Sequence, residues 1–139
     1  MGYVISDDGR FVAAKWIGAI GHREAIDHET RLLRDVRLGR CACVLSDTRL
    51  ATFPETGEHN VAEFAALHGR PDNLGSVSRS AICSVAVETF DKAKLYREEC
   101  FRFGVEVELF ADVPPACAWL GVDQAVAEEL LARLGTGAG

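Results

Sequence analysis

The alternation of hydrophobic and polar residues at the start of the chain predicts a β-hairpin. Residues 3–5 and 11–17 are strand-like apolar runs, and residues 7–9 (Asp-Asp-Gly) between them form a turn sequence, because Asp-Gly tolerates the positive φ of a tight turn. Apolar residues then recur at helical spacing over residues 22–38, with arginines on the opposite face and Gly39 as the expected C-cap. The chain is therefore expected to open with two antiparallel strands and an amphipathic helix.

Further along the chain, apolar runs alternate with helical periodicity. Residues 40–47 (RCACVLSD) and 79–87 (RSAICSVAV) have the apolar content of interior strands. A loop rich in turn and capping residues is expected over residues 48–57, and Thr89 is expected to cap the helix after the second of these strands. The remaining predicted elements are helices over 58–68 and 90–103, a strand over 105–110, and a short helix that starts at a Pro-Pro pair and ends at 121.

Strands that alternate with helices of this length form right-handed crossovers and a mostly parallel sheet. The sequence therefore predicts an α/β fold: a single-layer, mixed, mostly parallel five-stranded sheet opened by the N-terminal hairpin, with helices packed on it. We expect this domain to span residues 1–122. Residues 123–139 are expected to form a C-terminal amphipathic helix and a frayed tail, with Val126, Leu130 and Leu134 in one apolar stripe.

The composition is that of an ordinary soluble globular protein. The chain has 139 residues, of which 48% are hydrophobic and 26% charged, and its formal net charge is −6. The negative charge argues against a nucleic-acid partner, because backbone phosphates demand a basic face. The start, MGYVISDDGR, lacks the regions of a signal peptide, and no uncharged run approaches the roughly 18 residues that span a bilayer. We therefore expect no membrane span and a cytoplasmic location.

The five cysteines are expected to be reduced thiols. Cys41 and Cys43 are two residues apart on a predicted strand and should point to one face, while Cys83, Cys100 and Cys117 each lie within an apolar pattern. Their spacing is not that of a zinc site, and buried cysteine behaves as a small hydrophobe. We expect neither a metal nor a cofactor.

Two segments and the order of the elements resemble the STAS/SpoIIAA-like family. The segments are residues 44–49 (VLSDTR), at the end of a predicted strand, and residues 110–121 (FADVPPACAWLG). This family has the fold of anti-sigma-factor antagonists and of many uncharacterised bacterial relatives. The resemblance covers about residues 3–121 and implies a STAS-like α/β fold.

The resemblance also implies a candidate modification site. In the regulatory members, a serine at the start of the helix after the third strand is phosphorylated by a partner kinase, and Thr56 falls closest to that position. A phosphate there would meet the positive end of the helix dipole and add about −2 charge to a surface. The segment departs from the usual Asp-Ser-Ser-Gly, since it reads Glu55-Thr56-Gly57 and is one residue short. The alternative, which we favour, is that Thr56 is only the N-cap before Glu58.

Four charged residues are expected at the carboxyl rim of the sheet, where open α/β sheets place their ligands. Asp47 and Arg49 lie at the carboxyl end of the central predicted strand, and Glu88 and Asp112 end the neighbouring predicted strands. Two or more converging carboxylates could hold magnesium. Structural pairing of Asp47 with Arg49 is the favoured interpretation, because such ion pairs are common without catalysis.

The sequence contains no HExxH, GxSxG or Walker motif, and its histidines are spaced so that they point in different directions. The leading hypothesis is therefore a non-enzymatic, STAS-like protein-interaction module of the bacterial cytoplasm, forming a homodimer through the hairpin edge or the C-terminal helix. One alternative is a phospho-switch antagonist that uses Thr56 and a regulatory protein partner. Another is a carrier of a small apolar ligand or lipid, with a cavity beneath the helix predicted over residues 90–103. An enzyme built on the four rim residues is the least favoured alternative.

Overall fold

The computed structural model describes residues 2–135, within which five strands form one sheet. The strands are β1 Gly2–Ile5, β2 Phe11–Ala19, β3 Ala42–Thr52, β4 Val77–Cys83 and β5 Glu106–Phe110. They lie side by side in chain order. β1 and β2 are antiparallel, and every other neighbouring pair is parallel, which confirms the predicted mixed sheet opened by a hairpin.

Helices cover both faces of the sheet. They are α1 His22–Arg34, α2 Glu58–Ala65, α3 Val87–Phe101, α4 Val113–Leu120 and α5 Gln124–Arg133, and a 3-10 turn, Ala66–Gly69, continues α2. Successive side chains of a strand point to opposite faces. Val44 of β3 therefore packs in the core under α1, α2 and α3, whereas Leu45 packs with Leu120 and Leu130 under α4 and α5.

The hairpin turn is held against the segment that follows α1. Gly9 has a φ of +72°, and a Cβ at this position would lie 2.6 Å from the Arg37 carbonyl oxygen. The Gly39 N–H donates to the Gly9 carbonyl at 2.8 Å. The helix predicted over residues 22–38 is thus four residues too long, and Gly39 is not its cap. α1 ends at Arg34 because Asp35 has an extended backbone (ψ 124°) and its carboxylate binds the Arg37 side chain and backbone N–H.

β3 extends five residues beyond Asp47, so the loop predicted from residue 48 begins only after Thr52. The register between β2 and β3 shifts here, because β3 has two residues, Thr48 and Arg49, between the pairs Lys15–Asp47 and Ile17–Leu50, where β2 has one. Pairing then continues until Ala19 meets Thr52. Arg49 consequently lies within the strand rather than in the predicted loop after it.

β4 and α3 also differ from the prediction. β4 ends at Cys83, and α3 begins at Val87 with Ala86 as its N-cap. Thr89 is therefore inside the first turn and buried, so its predicted capping role is wrong. Val85 and Val87, which the sequence placed in a buried strand, are 63% and 77% exposed.

All five cysteines are free thiols. Cys83, Cys100 and Cys117 are buried, and burial raises the pKa of each, to about 12 for Cys83 and Cys100. Cys41 is exposed with a φ of +55° and precedes β3, so it does not share a strand face with Cys43 as predicted. The buried thiols are small core residues in un-ionised form.

The C-terminal helix packs on its own domain. Asp123 is the N-cap of α5 and accepts from the Val126 N–H at 3.1 Å. The buried face of α5 consists of Ala127, Leu130 and Leu131 and lies against β2 and α4. Val126 is 47% exposed, so the buried face of α5 is rotated away from the apolar stripe that the sequence predicted. The part of the expected frayed tail beyond residue 135 lies outside the described residues. Within the described range, no helix combines the length and apolar content needed to cross a lipid bilayer.

Candidate functional site

Three of the four predicted rim residues meet on the face of the sheet that α4 and α5 cover. Arg49 donates from Nε to Asp47 Oδ1 at 2.9 Å and from Nη2 to Asp47 Oδ2 at 3.0 Å, which makes a bidentate pair. Its Nη1 donates to Asp112 Oδ1 at 2.9 Å. Asp112 Oδ1 also accepts from the Val113 N–H as the N-cap of α4. Arg49 thus ties the end of β3 to the start of α4.

We call Asp47, Arg49 and Asp112 the Arg49 cluster. Burial opposes ionisation of Asp47, which is 4% exposed, but the hydrogen bonds and charge of Arg49 outweigh this effect and lower the pKa of the carboxyl. Both Asp47 oxygens face the guanidinium, an arrangement that suits structural pairing. Within residues 2–135, no group of three or more His, Cys, Asp or Glu side chains is arranged to hold a metal ion.

Glu88 does not join the Arg49 cluster. It lies in the first turn of α3, on the opposite side of the sheet, because α3 begins three residues earlier than the sequence predicts. Its carboxylate is exposed and accepts from Lys92 Nζ at 3.1 Å. The four rim residues therefore do not form one site.

Thr56 lies in the loop before α2 but does not cap the helix. The N-cap is Gly57, whose N–H donates to Asn60 Oδ1 at 3.0 Å. The favoured interpretation of Thr56 as the N-cap is therefore wrong. Its half-buried side chain instead lines a cavity between the sheet and the helices. Phosphorylation at this position stays a prediction.

The cavity lies between the sheet and α1, α2 and α3, and its volume is about 110 Å³. Four aromatic side chains, Trp16, Phe53, Phe64 and Tyr96, form much of its wall. The Trp16 ring lies 6.0 Å from Phe53 and 6.3 Å from Phe64, and the Phe64 ring lies 5.3 Å from Tyr96, all centroid to centroid. The cavity is open at one side, so the rings form a continuous apolar pocket that a ligand can enter from solvent.

Polar side chains lie among these aromatic rings. Glu29 of α1 is 8% exposed, and burial raises the pKa of its carboxyl to about 7. Among residues 2–135, no hydrogen-bonding group or basic side chain pairs with it. The hydroxyl-bearing residues Thr48, Ser80 and Thr89 also line the cavity and are buried. The site therefore combines an apolar wall with a small set of buried polar groups, as small-molecule sites do.

A buried pair of neutral groups closes the inner end of this aromatic wall. His68 Nε2 and Tyr96 Oη are 3.1 Å apart in a hydrogen bond. Burial lowers the pKa of His68 to about 4 and raises the pKa of Tyr96, so both side chains are uncharged at neutral pH. His68 Nδ1 has no hydrogen-bond partner among the described residues.

Lys92 of α3 holds the loop that borders the cavity. Its Nζ donates to the Phe53 carbonyl oxygen and to Glu88 Oε1. The Lys92 ammonium group is thereby paired, and its contact with the Phe53 carbonyl ties α3 to the loop after β3.

Sequence reasoning did not identify Glu29, and a signal for it existed. Glu29 follows Ala25 by four residues and precedes Leu33 by four, so it falls on the apolar face that the sequence assigned to this helix. A carboxylate in line with apolar residues on a helix facing a sheet is the pattern that marks a buried charge.

Comparisons with known proteins identify the fold and no activity. No family model matches the sequence, and no curated protein matches it. A solved structure of an uncharacterized protein of the DUF3478 family with a SpoIIAA-like fold, from Shewanella loihica PV-4, matches with a TM-score of 0.57 and 20% identity over 86% of this chain and 90% of that chain. The chain therefore has the STAS/SpoIIAA-like fold that its sequence resembles.

Proposed function

We propose that this protein is a non-enzymatic small-molecule-binding module of the cytoplasm, whose ligand enters the cavity between the sheet and α1, α2 and α3. One observation carries the proposal: a cavity with aromatic walls also contains a buried carboxyl, Glu29, that no donor or cation within residues 2–135 pairs with. An apolar cavity of about 150 Å³ holds a benzene molecule. A cavity of about 110 Å³ suits a compact group, and a longer ligand would extend through the opening. The ligand is therefore amphiphilic rather than purely apolar.

A substitution that fills the cavity tests this proposal. Ala93 lines the cavity from α3, so Ala93→Leu places extra carbons in its volume. Ala118 on α4 is exposed on the other side of the sheet, and Ala118→Leu is the matched control. Native mass spectrometry of freshly purified protein should show a bound mass in the wild type and in Ala118→Leu but not in Ala93→Leu. A wild-type protein without any bound mass would count against the proposal.

A protein-interaction module that forms a homodimer is the second candidate. It is supported by an apolar tripeptide, residues 85–87, that is exposed where the chain passes from β4 to α3. Exposed apolar side chains that lie side by side favour protein contacts. Sedimentation velocity should then show a dimer that Val87→Asp converts into a monomer. A monomer at high micromolar concentration of the wild type would reject this candidate.

The phospho-switch alternative keeps one supporting observation, the position of Thr56 at the cavity. A phosphate on Thr56 would place about −2 charge beside the entrance. Incubation with a partner kinase of the anti-sigma class should add one phosphate, which mass spectrometry would detect, and Thr56→Val should remain unmodified. Phosphorylation of both proteins would exclude Thr56 as the acceptor.

A further inference from the structure

The cavity contains one acidic side chain, Glu29, among the part of the chain that the structure describes. Among the described residues that line the cavity, Glu29 is the one carboxylate. It is more than nine-tenths buried, and no donor within residues 2–135 binds it. A buried charge without a partner is destabilising, and buried charges in proteins are normally paired.

The wall around Glu29 is suited to a positive charge. Trp16, Phe53, Phe64 and Tyr96 line the same cavity, with neighbouring ring centroids 5.3–6.3 Å apart. The faces of aromatic rings carry negative electrostatic potential and attract cations, and several rings around one site form the cages that recognise ammonium groups. The carboxylate and the aromatic rings of this cavity therefore both favour a positively charged ligand.

The other titratable groups that face the cavity do not supply that charge. Lys92 of α3 lies at the edge, where the Phe53 carbonyl and Glu88 pair with its ammonium group. His22 of α1 lies 3.3 Å from Glu63, which turns it toward α2. His68, next to α2, and Tyr96 of α3 bind each other and are neutral. When it is ionised, Glu29 therefore supplies the negative charge in this cavity, and no cation among these groups neutralises it.

We propose that the ligand of this cavity is a compact organic cation, an amine with an apolar body, whose ammonium group pairs with the Glu29 carboxylate while the aromatic rings enclose the rest. This inference rests on the proposed function and adds the charge of the ligand to it. A neutral ligand would leave the charge of the ionised carboxylate without a counter-ion, and an anionic ligand would meet a like charge. An amine satisfies both the carboxylate and the rings.

A matched set of probes tests the charge of the ligand. Butylamine, 1-butanol and butyrate have the same chain length and differ in carrying a positive, a neutral or a negative head group. Each is titrated into the full chain at pH 8, and NMR follows the Trp16 indole signal, which reports on this cavity. We expect butylamine to bind at least about tenfold more tightly than 1-butanol, since a buried ion pair and cation–π contacts both favour it.

The variant Glu29→Gln keeps the size of the side chain and removes its charge. It should bind butylamine about tenfold more weakly than the wild type and bind 1-butanol equally well. The control is Glu98→Gln, at an exposed position of α3, which should bind all three probes as the wild type does. Lowering the pH from 8 to 6 should weaken butylamine binding to the wild type, because Glu29 becomes protonated, and should leave Glu29→Gln unaffected.

The outcomes separate this inference from the proposed function. Equal affinity for butylamine and 1-butanol, or a preference for butyrate, would overturn the cationic ligand while leaving a binding cavity. No shift of the Trp16 signal with any of the three probes would overturn both proposals. A preference for butylamine that survives in Glu29→Gln would exclude Glu29 as the counter-ion.

Discussion

At the scale of single residues, Glu29 shows how one side chain can be costly for folding and useful for binding. Burial moves the pKa of its carboxyl from an ordinary value of 4.5 to about 7, which corresponds to roughly 3 kcal/mol. The folded state prefers the protonated form. The free energy of unfolding that Glu29 contributes is therefore intact below pH 4.5, falls as the pH rises toward 7, and stays low at higher pH. A ligand that pairs with the carboxylate would restore the stability that ionisation of Glu29 removes.

The variant Glu29→Gln should accordingly raise stability at pH 8 and change it little at pH 5. The amide resembles the protonated carboxyl in shape and cannot ionise, so the cost of the buried charge disappears only where the wild type is ionised. We expect a gain of about 2–3 kcal/mol at pH 8 in urea unfolding. Glu98→Gln, which also removes one carboxylate from the chain, should give no such difference between the two pH values. Equal effects of Glu29→Gln at pH 5 and pH 8 would contradict the shifted pKa.

At the scale of elements, the hairpin turn is fixed by two separate demands on Gly9. Its positive φ disfavours any side chain, and its close approach to the segment after α1 leaves no space for one. Gly18 near the end of β2 has a similar φ of +84°, but no atom lies within 4 Å of a Cβ placed there. A comparison of substitutions at the two glycines therefore separates the cost of the left-handed backbone from the cost of the steric clash.

Both glycines can be replaced by alanine to measure that difference. Gly18→Ala should lower the free energy of unfolding by about 1 kcal/mol, because the left-handed backbone alone disfavours alanine there. Gly9→Ala should cost roughly 1–3 kcal/mol more, because its Cβ would lie 2.6 Å from the Arg37 carbonyl oxygen and the backbone must shift. Chemical denaturation of both variants gives the comparison. Equal losses of stability in the two variants would show that the segment after α1 moves away from the new Cβ at no cost in free energy.

The Arg49 cluster joins two elements, β3 and α4, through one guanidinium. Removing Arg49 leaves the Asp47 carboxylate buried without its donor, whereas removing Asp112 releases an exposed group. Breaking a buried pair costs more than the pair contributes, because the remaining charge stays desolvated. The loss of stability should therefore depend on how buried the remaining carboxylate is, rather than on how many hydrogen bonds the substitution removes.

A double-mutant cycle tests this order. Arg49→Met should destabilise the protein by about 2–3 kcal/mol, and adding Asp47→Asn should recover part of the loss. Asp112→Asn should cost about 1 kcal/mol or less, since that carboxylate is largely exposed and still caps α4 as an amide. Unfolding in urea measures the wild type, Arg49→Met, Asp47→Asn and their double variant, with Asp112→Asn as a fifth protein. Independent, additive losses at residues 47 and 49 would show that the two side chains are not coupled.

At the scale of the whole molecule, the sequence was sufficient for the sheet and insufficient for the cavity. Hydrophobic periodicity predicted the mixed, mostly parallel sheet, and the residues around Phe110 carried the resemblance to the STAS/SpoIIAA-like fold, because both follow from local patterns. The cavity depends on how three helices pack on the sheet, and its aromatic residues are as much as 80 positions apart between Trp16 and Tyr96. β3 continues through a bulge at Thr48 and Arg49 because β2 pairs with it as far as Thr52, and that pairing depends on a strand more than 30 residues earlier in the chain.

The extent of the folding unit can be tested by removing α5. The sequence predicted a domain over residues 1–122, yet Ala127, Leu130 and Leu131 of α5 are buried in the same core as Phe11 and Leu45. Burial of two leucines and an alanine contributes roughly 4–6 kcal/mol, which is a large part of the 5–15 kcal/mol that stabilises a typical domain.

A chain ending at residue 122 should therefore unfold at much lower urea concentration than the full chain, or fail to fold. The double variant Leu130→Ala and Leu131→Ala in the full chain should be destabilised by about 4 kcal/mol or more, because it leaves space on the α5-covered face of the sheet. Val126→Ala, at a 47% exposed position of the same helix, is the control and should change stability little. A truncated chain with the stability of the full protein would establish 1–122 as the domain, since α5 would then be an appendage. The expected loss instead makes α5 part of the core that supports β2, the strand that carries Trp16 into the cavity on the opposite face.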